Sequence, residues 1–142
     1  WIEGKAFMHS HTYAGNPLGC AAALAVLDIL DEENILEQAE NTAAWLPERL
    51  SETFGAHPNV GEIRHIGLIH ALELVEDRAE KRPFDSKRRL GYAIYRRALQ
   101  HGLLLRPLGD ILYFNPPLNI GRNALETAME RIKLSMDEVL GA

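Results

Sequence analysis

Residues 60–75 read VGEIRHIGLIHALELV. Ile66, Leu68, Leu72 and Leu74 share one parity, the spacing of strands that bury one face, and His70 interrupts the set. The stretch predicts two strands around Gly67. Outward toward the C-terminus, two short apolar stretches, 103–105 (LLL) and 111–114 (ILYF), flank Pro107-Leu108-Gly109-Asp110, a turn by composition. They predict a second pair of strands, which Asn115-Pro116-Pro117 ends.

Helical periods fill the remaining sequence. Asn16-Pro17 is a helix start, with asparagine able to cap free N–H groups and proline preset for the first turn. From there to about Leu30 the chain is apolar almost all round (LGCAAALAVLDIL), the composition of a buried helix covered on several sides. Residues 31–34 (DEEN) mark a break. Ile35, Leu36, Ala39, Ala43, Leu46, Leu50 and Phe54 then recur at helical spacing, with a kink expected at Pro47 and an end at Gly55. Residues 76–86 form a charged loop. Residues 87–101 predict a helix with Leu90, Ile94 and Ala98 inward. Asn123 with Glu126 resembles a capping box for a last helix that turns Leu125, Met129, Ile132, Met136 and Leu140 inward. The order helix, helix, strand, strand, helix, strand, strand, helix is α+β: a small, mostly antiparallel sheet covered by helices.

Composition narrows the function classes. The chain has 142 residues, 46% hydrophobic and 25% charged, which excludes disorder and collagen-like repeats. The net charge of −5 argues against nucleic acid as the main partner. No apolar run approaches the ~20 residues that span a bilayer, so no membrane association is expected. A single cysteine, Cys20, excludes an internal disulfide and fits a reducing, cytoplasmic compartment. Within its apolar helix it reads as a buried, inert thiol. The sequence starts at Trp1, without Met or leader, and reads as a piece of something longer.

Few residues stand out chemically. His9 and His11 would share one side of an extended segment, but no third ligand accompanies them, so loop residues outweigh a metal site and no metal is expected. Ser10 and Thr12, with loop N–H groups and Gly15 just before a helix start, suit a phosphate, or simply cap the helix. Arg106 ends an apolar stretch. Its planar fork suits a carboxylate on a ligand, or equally an internal pair with Asp110 or Glu73. Tyr113, across the turn, either offers a hydroxyl to the same place or packs in the core, and packing is favoured. The basic residues between Lys81 and Arg97 read as a solvated face.

The stretch FMHSHTYAGNPLGCAAALAVLDIL (7–30) resembles the segment of class III, fold type I, pyridoxal-phosphate aminotransferases that runs from the cofactor phosphate site into the small domain. The strand pair at 60–75 resembles the one that follows it there. GLLLRPLGDILYFNPPLNI (102–120) looks most like the adenosylmethionine-8-amino-7-oxononanoate branch, which serves biotin synthesis. The similarity covers the whole chain but only the C-terminal third or so of such an enzyme. It implies three segments: 1–16 at the phosphate site and interface, 17–54 as bridging helices, and 55–142 as the C-terminal small domain.

The resemblance also assigns roles. Thr12 and His11 match residues that bind or line the neighbouring subunit's pyridoxal 5'-phosphate site across a homodimer interface. Ser10 falls at the substrate, where relatives often have glycine. Arg106 matches the arginine that grips the substrate carboxylate, and Tyr113 an aromatic beside it. The family's Schiff-base lysine, and the aspartate that pairs with the pyridine nitrogen, lie upstream, so no catalytic residue is expected here and the piece alone should be inactive. The implied reaction of the parent converts 7-keto-8-aminopelargonate to 7,8-diaminopelargonate, with small amino and keto acids as partners. The alternatives are another class III ω-aminotransferase, acting on ornithine, 4-aminobutyrate or similar, or a non-catalytic interaction module.

Overall fold

A computed structural model describes residues 12–141. The chain divides into two compact units, the first ending at Asn34 and the second starting at Ile35. In the first unit, helix α1 spans Pro17–Glu32. Its start is the expected one: the Leu18 N–H donates to Asn16 Oδ1 (3.0 Å), and Pro17 occupies the first turn, where its missing N–H costs nothing. Asn34, with φ +51°, follows the helix end. The helix was expected to be covered, but none of its residues is buried, and Leu18 and Cys20 are exposed. A helix apolar all round needs neighbours on every side, and its own unit supplies no second helix or strand among the described residues.

The second unit carries the sheet. Helix α2 (Ile35–Phe54) runs through Pro47 as one continuous helix. Strands β1 (Val60–Ile66) and β2 (Ile69–Leu74) follow, then a 3-10 turn (Ser86–Arg88) and helix α3 (Leu90–Gln100). Strands β3 (Arg106–Leu108) and β4 (Ile111–Phe114) and helix α4 (Arg122–Leu140) complete it. The order is β1-β2-β4-β3, every neighbouring pair antiparallel. Leu72 and Leu74 of β2 and Leu112 and Phe114 of β4 point inward. They share one core with Leu46, Leu50 and Phe54 of α2, Ile94 and Ala98 of α3, and Leu125, Met129, Ile132 and Met136 of α4.

The β1–β2 hairpin revises the expected parity. Ile66 pairs with Ile69 around Gly67-Leu68, and Gly67 has φ +54°, as a tight two-residue hairpin requires at its first position. Across such a turn paired residues share a face, so parity inverts. Ile66 is therefore exposed, whereas His70 belongs to the inward set and is fully buried.

Three boundaries also moved. The edge strand is Arg106–Leu108, not 103–105. Pro107 is admissible there because an edge strand has a side that donates to no neighbour. Residues 103–105 instead lead back from α3, with the Leu103 N–H donating to the Ala98 carbonyl (2.8 Å). Helix α3 starts at Leu90 because Asp85 Oδ1 accepts from the Lys87 N–H (3.0 Å), closing the 3-10 turn, and Arg89 then takes a left-handed conformation. Helix α4 starts from Gly121, whose carbonyl accepts from Ala124 and Leu125. The Asn123–Glu126 box does not form; the Glu126 carboxylate lies 3.5 Å from Arg49 Nε on α2 instead.

Two buried histidines make this fold sensitive to acid. His70 Nδ1–H donates to the Leu68 carbonyl (3.1 Å), its ring stacks on His65, and Nε2 is buried without a partner. His57 Nδ1 accepts from the Asn59 N–H (3.1 Å), and its Nε2 lies 3.3 Å from Asp137 Oδ1 without hydrogen-bonding alignment. Burial lowers the pKa of both; Asp137 opposes this at His57 but does not overcome it. Below the ordinary histidine value the unfolded chain then binds more protons than the folded one. Their stabilising contribution is complete above that value and is lost as pH falls through the lowered ones. The thermal midpoint is expected to fall between about pH 7 and pH 5, and less so in His57→Gln. A midpoint that is flat over that range would contradict the burial of these rings.

Candidate active-site elements

The β3–β4 hairpin places Arg106 directly opposite Tyr113. Leu112 and Phe114 face the core, so the alternation of β4 turns Tyr113 to the other face. Tyr113 is half-buried and stands outside the core, contrary to the packing expected of it. Arg106 is exposed. Both line a cleft of about 410 Å³ at the edge of the sheet. Its walls are apolar, from Leu103, Leu104 and Ile120 and from Leu125 and Ala128 of α4, and Asn115 adds one amide.

Neither internal partner considered for Arg106 takes it. Glu73 is paired with Arg64, and Asp110 Oδ1 accepts from the Gly91 N–H (3.4 Å). Among the described residues the Arg106 guanidinium has no ion-pair partner. A forked cation beside apolar walls, with its donors uncommitted, suits a carboxylate at the end of an aliphatic chain. Sequence reading missed the wall residues Leu104 and Ile120. The only signal for the first was its place in the LLL run before Arg106, which reads equally well as strand.

Thr12 lies in the first unit, on an exposed turn before α1. The Asn16 N–H donates to the Tyr13 carbonyl (3.1 Å) and Gly15 has φ +74°. The Thr12 hydroxyl has no partner among the described residues. Ser10 and His11 lie outside those residues, as does His9. No cluster of three or more metal-binding side chains occurs among the described residues, and no helix there is long and apolar enough to cross a membrane.

A model of the class-III aminotransferase family matches residues 2–136. The chain belongs to the class-III aminotransferases. Among sequence relatives of this class-III chain, an adenosylmethionine-8-amino-7-oxononanoate aminotransferase of Geobacter sulfurreducens is 40% identical over 139 residues, covering 98% of this chain and 30% of that protein. A diaminobutyrate–2-oxoglutarate transaminase of Halomonas elongata is 39% identical, covering 94% of this chain and 29% of that protein. Among solved structures, the PMP-bound aminotransferase of Vibrio fluvialis superposes with a TM-score of 0.87 at 34% identity, over 99% of this chain and 30% of that one. A transaminase from directed evolution by ancestral reconstruction gives 0.88 at 42% identity, over 99% and 31%. The class-III chain thus spans about 30% of the length of these relatives.

Proposed function

We propose that this chain is the C-terminal part of a pyridoxal-phosphate aminotransferase that converts 7-keto-8-aminopelargonate to 7,8-diaminopelargonate in biotin synthesis. The observation that carries the reading is Arg106, without an ion-pair partner among the described residues, at the rim of an apolar cleft. The substrate has a carboxylate at one end of a methylene chain and its reacting carbonyl at the other. Binding energy from the remote carboxylate then orients the carbonyl, which is where orientation accelerates the reaction. Tyr113 stands beside the guanidinium and offers its hydroxyl to the same carboxylate. Four relatives at 36–40% identity carry the name of this activity, which supports it over other members of the class.

The residues fit the cofactor's phosphate at one point. Thr12 offers, on an exposed turn, a hydroxyl with no partner among the described residues, and Asn16 engages the first-turn N–H groups of Leu18 and Cys20 but not that of Gly19. In this reading Thr12 and His11 hold the phosphate of the partner subunit in a homodimer, and Ser10 borders the substrate there. Bound pyridoxal phosphate supplies the electron sink and carries the amino group. This chain's residues hold the phosphate and place the substrate. The lysine that carries the cofactor is contributed from upstream, so the isolated chain is inactive, and the enzyme works in the cytoplasm. Segment 1–16 serves the phosphate site, 17–54 bridges, and 55–142 forms the small domain.

Thr12→Ala in the full-length enzyme is expected to weaken cofactor retention about tenfold, the scale of one hydrogen bond to a charged group. Dialysis followed by absorbance measures it, and unaltered retention would remove Thr12 from the phosphate site. The second reading, an ω-aminotransferase of other amines, is favoured by the Halomonas relative. Turnover of ornithine, 4-aminobutyrate or diaminobutyrate above that of 7-keto-8-aminopelargonate would select it. Failure of the full-length protein to take up pyridoxal phosphate would leave a non-catalytic module.

A further inference from the structure

We propose that Gly91 and Asp110 are positioning residues for Arg106: the first turn of α3 clamps the β3–β4 turn and so fixes where the guanidinium stands. The proposal rests on the carboxylate reading of Arg106. Strand β3 has three residues and lies at the sheet edge, so β4 alone pairs with it. Such a strand holds its place weakly by its own ladder. Its position must come from the turn that starts it back into the sheet, Gly109-Asp110, where Gly109 has φ +62°.

That turn is gripped from two sides. From β2, the Leu74 N–H donates to the Asp110 carbonyl (2.9 Å). From α3, the Gly91 N–H lies 3.4 Å from Asp110 Oδ1. Gly91 belongs to the first turn of α3, whose N–H groups have no partner within the helix, so the carboxylate satisfies one of them at the positive end of the helix dipole. The approach is too close for any side chain. A Cβ on residue 91 would stand 2.0 Å from the Gly109 carbonyl oxygen and 3.1 Å from Pro107 Cβ. The helix backbone is therefore seated directly on the hairpin. The motif Arg-Pro-Leu-Gly-Asp reads as one device: Arg106 grips, Pro107 suits an edge, Gly109 turns, and Asp110 anchors the turn to α3.

The test compares two ligands in the full-length holoenzyme: 7,8-diaminopelargonate and its decarboxy analogue, 2,3-diaminooctane. Gly91→Ala must push the hairpin outward, and a displacement of ~1 Å at an orienting group can cost about 100-fold. Gly91→Ala and Asp110→Ala are expected to raise KM for 7,8-diaminopelargonate about tenfold or more, with kcat within about twofold and KM for the analogue unchanged. Asp110→Asn, which keeps the acceptor oxygen, should recover most of the loss. The Asp110 variants keep the test open if Gly91→Ala does not fold. Equal effects on both ligands would mean a general structural role and overturn the proposal. No effect on either, with Arg106→Ala still selective for the carboxylate, would also overturn it. If Arg106→Ala is itself unselective, the carboxylate reading fails, and the positioning role falls with it.

Discussion

Arg106→Ala in the full-length enzyme should raise KM for 7-keto-8-aminopelargonate about 100-fold, the loss expected for a forked, charge-assisted contact worth roughly 2–3 kcal/mol. The absorbance of the bound cofactor should not change, because the guanidinium acts on the far end of the substrate. The size of the effect follows from what surrounds the residue. Glu73 and Asp110 are engaged elsewhere, so among the described residues removing Arg106 breaks no internal pair and leaves no buried carboxylate behind. The loss therefore falls on binding rather than on stability. Arg106→Lys keeps the charge but not the fork, and should recover only part of the affinity. An unchanged KM in Arg106→Ala would remove Arg106 from the substrate site.

Phe54→Ala should destabilise the fold by about 3–5 kcal/mol, the cost of emptying a fully buried aromatic site. Phe54 is 0% exposed and ends α2, where it packs in the core with Leu50, Leu72 and the inward residues of α4. That is a large part of the roughly 5–15 kcal/mol that holds a typical domain together. Leu36→Ala is the contrasting variant. Its position is in phase with the core by helical spacing, yet the side chain is 56% exposed, so its effect should stay within about 0.5 kcal/mol. Urea unfolding of the variants measures both. A loss below about 1 kcal/mol for Phe54→Ala would mean that the end of α2 does not close the core.

Most of the fold could be read from residue patterns, because those patterns act locally. The Asn16-Pro17 start, the span of α2 and the hairpin at Gly67 follow from caps, period and turn chemistry. The misreadings arose where tertiary contacts decide. His70 looked like an interruption because a polar residue on an apolar face carries no local sign of being buried. Residues 103–105 read as strand because nothing in LLL records that the ladder starts at Arg106. Asn123 is no cap because the helix starts from Gly121, and Glu126 stands near Arg49 instead. At the candidate site, Arg106 and Tyr113 were legible as a pair across a turn, and the structure makes them register partners. That Arg106 has no ion-pair partner among the described residues was not legible, since it depends on where Arg64 and Gly91 stand.

The most direct measurement uses the full-length protein, purified with its cofactor, and follows its visible absorbance on addition of 7,8-diaminopelargonate. Conversion of the bound cofactor to its amino form by this compound is the expected result, at lower concentration than by ornithine or 4-aminobutyrate. A cofactor band that does not respond to 7,8-diaminopelargonate but responds to another amine would contradict it.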